Sequence, residues 1–64
     1  MTNLKRIRLE SGLSQNKLAE VTGVNIRMIQ HYEQKSKDIN AASALTVHKL
    51  AIALNCTVGD LLEI

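Results

Sequence analysis

Four polar side chains near the middle of the chain share a helical spacing. Arg27, Gln30, His31 and Gln34 recur at i, i+3, i+4 and i+7, which places them on one face of an α-helix. All four are long or planar hydrogen-bonding groups, and none is acidic. A guanidinium suits the acceptors of guanine, a carboxamide suits adenine, and an imidazole can donate or accept. The stripe is therefore compatible with reading base edges, although taken alone it is more typical of an ordinary solvated helix face.

No other group of residues has the types and spacing that catalysis or metal binding requires. The sequence contains no Ser/His/Asp arrangement, no phosphate-binding glycine loop and no pair of catalytic carboxylates. His48 has no Cys or His at metal-ligand spacing, and the single cysteine, Cys56, has no sequence neighbour that would activate it. We therefore expect no enzyme activity, no metal site, no cofactor and no small-molecule ligand.

The segment from about residue 14 to residue 34 predicts two short helices joined by a glycine turn. Ser14 can cap a helix from Gln15 to Val21, and Gly23 interrupts that helix at a turn that needs a residue tolerant of positive φ. Asn25 can then cap a helix that ends near Gln34 and carries the polar stripe. Such a pair can project its second helix into a groove. This context favours base recognition over a solvated face.

Three more helices complete the expected all-α architecture. The first runs from about Asn3 to Ser11 and stops at Gly12. The fourth spans Ala41 to Leu54 if Asn40 is its cap, with Ser43 as an alternative cap one turn later. The last runs from Val58 to about Glu63, where Thr57 and Asp60 have the spacing of a capping box. No window alternates with a period of two, so we expect no sheet.

Composition places the chain among small helical domains. Its 64 residues are 45% hydrophobic and include one aromatic residue, Tyr32, which suits one thin aliphatic core in a single domain spanning residues 1–64. The formal charge is +2. Residues 1–32 carry five basic and two acidic side chains, whereas residues 33–64 carry three and four, so a polyanion partner is favoured for the first half. No run is long enough to span a membrane, and we expect a cytoplasmic protein.

These features together resemble the lambda-repressor-like family, also described as the XRE-type or Cro-like helix-turn-helix family. The resemblance covers roughly residues 3–62. It implies a compact five-helix domain that binds double-stranded DNA in a sequence-specific manner. Members are mostly bacterial and phage transcriptional regulators, and they commonly bind operators as homodimers. The residues that carry the resemblance are Leu4-Lys5, Ile7-Arg8, Leu13-Ser14-Gln15, Leu18-Ala19, Gly23-Val24, Ile29, Tyr32-Glu33, Lys49-Leu50-Ala51, Ala53-Leu54 and Leu61-Leu62.

The resemblance also assigns roles to individual positions. Gln15 is similar to a residue that contacts a DNA phosphate and supports the recognition helix, which is the third helix of this chain. Arg8 and Glu33 match an ion pair that ties the first helix to the end of the third, and both also fall on inward faces by spacing. The outward positions of the recognition helix, which would read bases, are Ile26, Arg27, Gln30 and His31.

Two assignments remain open from the sequence. Ile26 can contact a thymine methyl group or fold back onto the core. Lys35 and Lys37 follow the recognition helix, where they can join Gln15 and Asn25 in holding the DNA backbone or remain solvated. The expected function is transcriptional regulation, repressor-like, through DNA. The alternative is a protein-interaction module, such as an antitoxin-like partner, built on the same fold.

Overall fold

Five α-helices and one short 3₁₀ helix form the structure. A computed structural model describes residues 1–64 and contains no β-strand, which confirms the predicted all-α class. A 3₁₀ helix, Ile39–Ala41, lies between the third and fourth α-helices. The α-helices are α1 (Asn3–Glu10), α2 (Gln15–Thr22), α3 (Ile26–Glu33), α4 (Ala44–Ala53) and α5 (Val58–Leu61).

Side-chain caps set where the helices begin. The Oγ1 of Thr2 accepts from the N–H of Lys5 at α1, and the Oγ of Ser14 accepts from Lys17 at α2. Thr57 and Asp60 form the predicted capping box at α5, because each side chain accepts from the backbone N–H of the other residue. These bonds satisfy donors that have no partner within a helix.

The start of α4 differs from the first expectation. The helix begins at Ala44 with Ser43 as its cap, whereas Asn40 lies in the 3₁₀ helix, which Asp38 caps. The Asn40 side chain instead binds the backbone of Glu63, donating to its carbonyl at 3.1 Å and accepting from its N–H at 2.8 Å. Asn40 is therefore committed to the C-terminal segment and cannot cap α4. Ser43, the alternative, is the cap.

One aliphatic core holds the helices together. Helix α2 packs on α3 and α4, whereas α1 packs on α3 and α5. Leu18, Ile29, Leu50 and Leu61 are completely buried, so α2 to α5 each contribute at least one side chain to the centre. The buried hydrophobic set is Leu4, Leu18, Ile29, Tyr32, Ile39, Val47, Leu50, Ala51, Leu54 and Leu61.

The two ends of the chain are fastened to each other. The Glu63 carboxylate accepts from the backbone N–H of Asn3 at 2.8 Å, and so caps α1 from the opposite end of the sequence. The Asn3 side chain donates to the carbonyl of Leu62, also at 2.8 Å. None of the helices combines the length and apolarity that crossing a bilayer requires.

Candidate nucleic-acid interface

Helix α3 has one buried face and one face that is open to solvent. Ile29, Tyr32 and Glu33 are buried, and they anchor the helix against α1 and α2. Arg27 and His31 are exposed on the other face, and Gln30 is half-buried beside them. The predicted division of the helix into two faces is therefore present in the structure. The stripe of polar side chains is accessible to a ligand.

Ile26 stands at the first position of α3. The structure leaves it half-buried, and it does not belong to the partly buried hydrophobic side chains that pack against the core. Of the two interpretations made from the sequence, this position favours contact with a thymine methyl group over packing onto the core.

A bidentate ion pair between Arg8 and Glu33 connects α1 to the end of α3. The Nε of Arg8 donates to Glu33 Oε2 at 2.6 Å, and one terminal nitrogen donates to Oε1 at 3.0 Å. The other terminal nitrogen donates to the carbonyl of Leu13 at 2.8 Å, in the segment that leads into α2. The side chains of Arg8 and Glu33 are only 8% and 2% exposed. Arg8 therefore links three parts of the fold through charge-assisted hydrogen bonds.

The same ion pair continues into the candidate DNA-contacting residues. The amide nitrogen of Gln15 donates to Glu33 Oε1 at 3.0 Å, so its oxygen is directed toward α3. That oxygen accepts from the amide nitrogen of Gln30 at 3.4 Å. A carboxylate can only accept, so Glu33 makes the Gln15 nitrogen the donor and leaves the Gln15 oxygen as the acceptor for Gln30. Gln30 is left with its oxygen and its second N–H free.

The first turn of α2 offers unpaired backbone donors near Gln15. Ser14 caps the helix by accepting from Lys17, and its carbonyl accepts from Leu18. The N–H groups of Gln15 and Asn16 have no partner in the structure. Free N–H groups at a helix start, together with the positive end of the helix dipole, favour an anion such as phosphate.

Asn25 performs a local structural task. Its side-chain oxygen accepts from the N–H of Arg27 at 2.8 Å and caps α3. The amide nitrogen of this exposed residue remains available to solvent. The predicted contact with the DNA backbone thus has a free donor in the amide nitrogen, although the side-chain oxygen is already used as the cap of α3.

The loop after α3 turns back over the end of that helix. Lys35 adopts the left-handed conformation, with φ of 64°, and the N–H of Lys37 donates to the carbonyl of His31 at 3.2 Å. Both lysine side chains are exposed, and Asp38 directly follows Lys37. The loop therefore places two positive charges beyond the C-terminal end of the polar stripe.

Ser36 is a residue that the sequence reasoning missed. Its Oγ lies 2.8 Å from His31 Nδ1 and 3.3 Å from the carbonyl oxygen of His31. A serine five residues after a histidine carries no recognisable pattern, because the contact depends on the left-handed turn at Lys35. The fold alone brings these two side chains together.

The remaining polar candidates do not assemble into a second site. No three His, Cys, Asp or Glu side chains are grouped as metal ligands would be. Cys56 is half-buried, and desolvation by burial, together with the nearby Asp60 carboxylate, raises the pKa of its thiol. A raised pKa reduces the fraction of reactive thiolate. His48 is exposed on α4.

A Ser-capped helix, a left-handed glycine at Gly23 with φ of 75°, and a second helix that presents a polar, non-acidic face define a helix-turn-helix protein. The family model described as "Helix-turn-helix" matches residues 4–61. The chain belongs to this family, the XRE or lambda-repressor-like helix-turn-helix proteins, which are DNA-binding regulators. No curated protein and no solved structure matches the chain.

Proposed function

We propose that this protein is a sequence-specific transcriptional regulator of bacterial or phage type, repressor-like, that inserts α3 into the major groove. The observation that supports this most directly is the chain of hydrogen bonds from Arg8 through Glu33 and Gln15 to Gln30. A purely solvated face would not require its glutamine to be held by a buried ion pair. Here Glu33 accepts from Gln15, and Gln15 accepts from Gln30 of the stripe at 3.4 Å.

Gln30 is the best-defined base reader in this proposal. Its amide nitrogen already donates one hydrogen to Gln15, which leaves one oxygen acceptor and one N–H donor. Adenine presents the complementary pair in the major groove, an N6 amino donor beside an N7 acceptor. The proposed role of Gln30 is therefore bidentate recognition of adenine.

Arg27 and His31 extend the reading surface on either side of Gln30. Arg27 projects from the first turn of α3 and has no side-chain hydrogen bond of its own, so its planar donor fork is free for guanine O6 and N7. His31 lies one turn later, on the same exposed face. Ile26 would add an apolar contact with a thymine methyl group at the start of the helix.

Backbone contacts would flank this helix on both sides. At the start of α2, the unpaired N–H groups and the Gln15 side chain can hold one phosphate. Asn25 can donate from its free amide nitrogen, and Lys35 and Lys37 supply point charges beyond α3. Such contacts position the helix but carry no sequence information themselves.

The decisive experiment selects duplexes from a random library and then measures affinity for the preferred and a scrambled duplex at several salt concentrations. Arg27→Ala should weaken binding to the preferred duplex by about 1–3 kcal/mol and relax selectivity at one base pair. Lys37→Ala should weaken binding to both duplexes equally and reduce the salt slope by about one. If Arg27→Ala weakened binding to both duplexes equally, Arg27 would contact the DNA backbone and would not read a base.

A matched control comes from α4, which supplies no candidate DNA contact. Lys49→Ala removes the same charge as Lys37→Ala from another exposed site, so the salt slope should stay at the wild-type value. If no duplex is enriched, or if Lys49→Ala changes the slope as Lys37→Ala does, site-specific binding through α3 is refuted. The protein-interaction alternative would then gain support.

We further propose that two copies bind one operator as a homodimer. One unit of this size covers few base pairs, and pairing raises affinity and specificity together. The apolar side chains that could form the dimer surface are Ile52, 65% exposed on α4, and Ile64, 96% exposed, together with the half-buried Leu62.

The dimer is tested by the selected sites and by sedimentation in the presence of DNA. We expect enriched sequences to contain two inverted half-sites about 10 base pairs apart, centre to centre. Ile52→Glu should abolish the two-copy complex and leave binding to a single half-site. Leu9→Glu, at a leucine that is 50% exposed on α1, is the control and should leave two copies bound. Enrichment of single, unrepeated sites would refute the dimer.

A further inference from the structure

The contact between Ser36 and His31 restricts which ring nitrogen of His31 carries the proton. Ser36 Oγ touches two atoms of His31, the ring nitrogen Nδ1 at 2.8 Å and the backbone carbonyl oxygen at 3.3 Å. A carbonyl oxygen can only accept, so this second contact uses the single hydroxyl proton of Ser36. The Oγ can then only accept at its contact with Nδ1. Both contacts are satisfied together only when Nδ1 carries a hydrogen.

The backbone holds Ser36 in this position. The N–H of Lys37 donates to the same carbonyl of His31 at 3.2 Å, and the N–H of Lys35 donates to the carbonyl of Tyr32 at 3.3 Å. These bonds, with the left-handed conformation of Lys35, fold the loop back onto the last turn of α3. Ser36 is thus placed by main-chain bonds on both sides of it, independently of its own hydroxyl group.

A neutral imidazole has one donor and one acceptor nitrogen. When Nδ1–H donates to Ser36, Nε2 is left as an acceptor at the outer edge of the ring. In water, unconstrained histidine favours the opposite form, with the hydrogen on Nε2. Ser36 therefore makes the exposed Nε2 of His31 an acceptor, where it would otherwise be a donor.

We infer that Ser36 is a positioning residue that holds neutral His31 in the Nδ1–H form, so that Nε2 accepts a hydrogen bond from the amino group of adenine or cytosine. Among the bases, only adenine N6 and cytosine N4 offer a donor in the major groove, whereas guanine and thymine present acceptors to the same space. This readout rests on the proposed DNA binding, but the form of the free histidine does not.

The form of the ring is measured directly on the free protein by nitrogen NMR of the imidazole rings, at about pH 9, where histidine rings are generally neutral. His31 should show the Nδ1–H pattern in the wild type and in Ser36→Thr, which keeps a hydroxyl group. Ser36→Ala should return it to the Nε2–H pattern. His48, the other histidine, makes no side-chain hydrogen bond in the structure and should show the Nε2–H pattern in all three proteins.

Two results would overturn the positioning role: the Nε2–H pattern for His31 in the wild type, or no difference between wild type and Ser36→Ala. Thermal unfolding of Ser36→Ala checks that the loop change has not disturbed the fold. We expect no shift, because the side chain is exposed and its loop is held by main-chain bonds. A large shift with an unchanged His31 pattern would also contradict the inference, since Ser36 would then act on stability alone.

The DNA arm uses duplexes selected at the same pH. The position that loses selectivity in His31→Ala identifies the base pair that His31 reads. Replacing the adenine or cytosine of this pair by the analogue that lacks its amino group, purine or 2-pyrimidinone, should weaken binding of the wild type and of Ser36→Thr about tenfold and that of Ser36→Ala little. Because every base pair contains adenine or cytosine, the amino group itself must be removed, and no loss of affinity in the wild type would overturn the readout. Failure to bind any duplex would refute the proposed function, whereas the NMR result would still decide the role of Ser36.

Discussion

Arg8→Ala should be among the most destabilising single substitutions in this protein. The substitution removes both hydrogen bonds that Arg8 makes to Glu33, at 2.6 and 3.0 Å, and a third bond, of 2.8 Å, to the carbonyl of Leu13. The Glu33 side chain is 2% exposed, so water cannot readily replace the lost guanidinium. Its one remaining side-chain partner is the neutral amide of Gln15.

The magnitude follows from the cost of leaving a buried charge without its partner. Removing one member of a buried ion pair typically costs about 3–5 kcal/mol. A chain of this length has a total unfolding free energy of roughly 3–10 kcal/mol, so the loss is a large part of the whole. We expect the melting temperature to fall by about 12 °C or more, at roughly 4 °C or more per kcal/mol.

The assay is urea unfolding at neutral pH, with Arg6→Ala as the matched control. Arg6 lies two residues away on the same helix and forms a 3.5 Å ion pair with Glu10, but both side chains are at least half exposed. Such pairs contribute about 0.5 kcal/mol. If Arg8→Ala and Arg6→Ala lower the unfolding free energy equally, then Glu33 is solvated after the substitution and the burial argument is refuted.

Four further substitutions test local structure by urea unfolding. Gly23→Ala should destabilise the protein by about 1–2 kcal/mol, because φ at that position is +75°. Gly59→Ala should stabilise it by about 0.5 kcal/mol, because Gly59 lies in a helix and the added carbon would make only an ordinary 3.7 Å contact. Effects of the same sign for the two substitutions would contradict this reasoning. Ser43→Ala should cost about 1 kcal/mol because it removes the cap of α4. No loss of stability would indicate that α4 begins before Ala44. The hydrogen bond from the Thr57 N–H lowers the pKa of Asp60 below 3.8. The stability advantage of the wild type over Asp60→Asn should therefore be present above about pH 4 and vanish as the pH falls through that lowered pKa. A stability difference that does not change with pH would refute this prediction.

The parts of the fold that depend on local chemistry were predictable from the sequence. Thr57 and Asp60 form a capping box because both bonds lie within three residues of sequence. Gly23 ends α2 with φ of 75°, since only a residue without a side chain adopts that conformation at little cost. Asn55 ends α4 in the left-handed region, with φ of 54°, as its amide side chain allows.

The parts that depend on distant partners were not predictable. Asn40 and Ser43 are equally good caps by propensity, and the choice between them is made by Glu63, which lies 23 residues beyond Asn40 and binds its side chain. Ser36 reaches His31 only because the loop turns at Lys35, a residue with no intrinsic preference for positive φ. Sequence spacing describes neighbours on one element, whereas these contacts are produced by tertiary structure.

The buried ion pair connects stability with recognition through one set of bonds. Glu33 accepts from Arg8 on one side and from Gln15 on the other, and Gln15 in turn accepts from Gln30. Without Arg8, the carboxylate is free to rotate, so the position of the Gln15 amide that donates to it is no longer fixed. Arg8→Ala should therefore weaken selective DNA binding by more than its unfolded fraction explains, even though Arg8 is buried and cannot touch DNA. The loss should be concentrated at the base pair that Gln30 reads, because that residue is the last member of the chain.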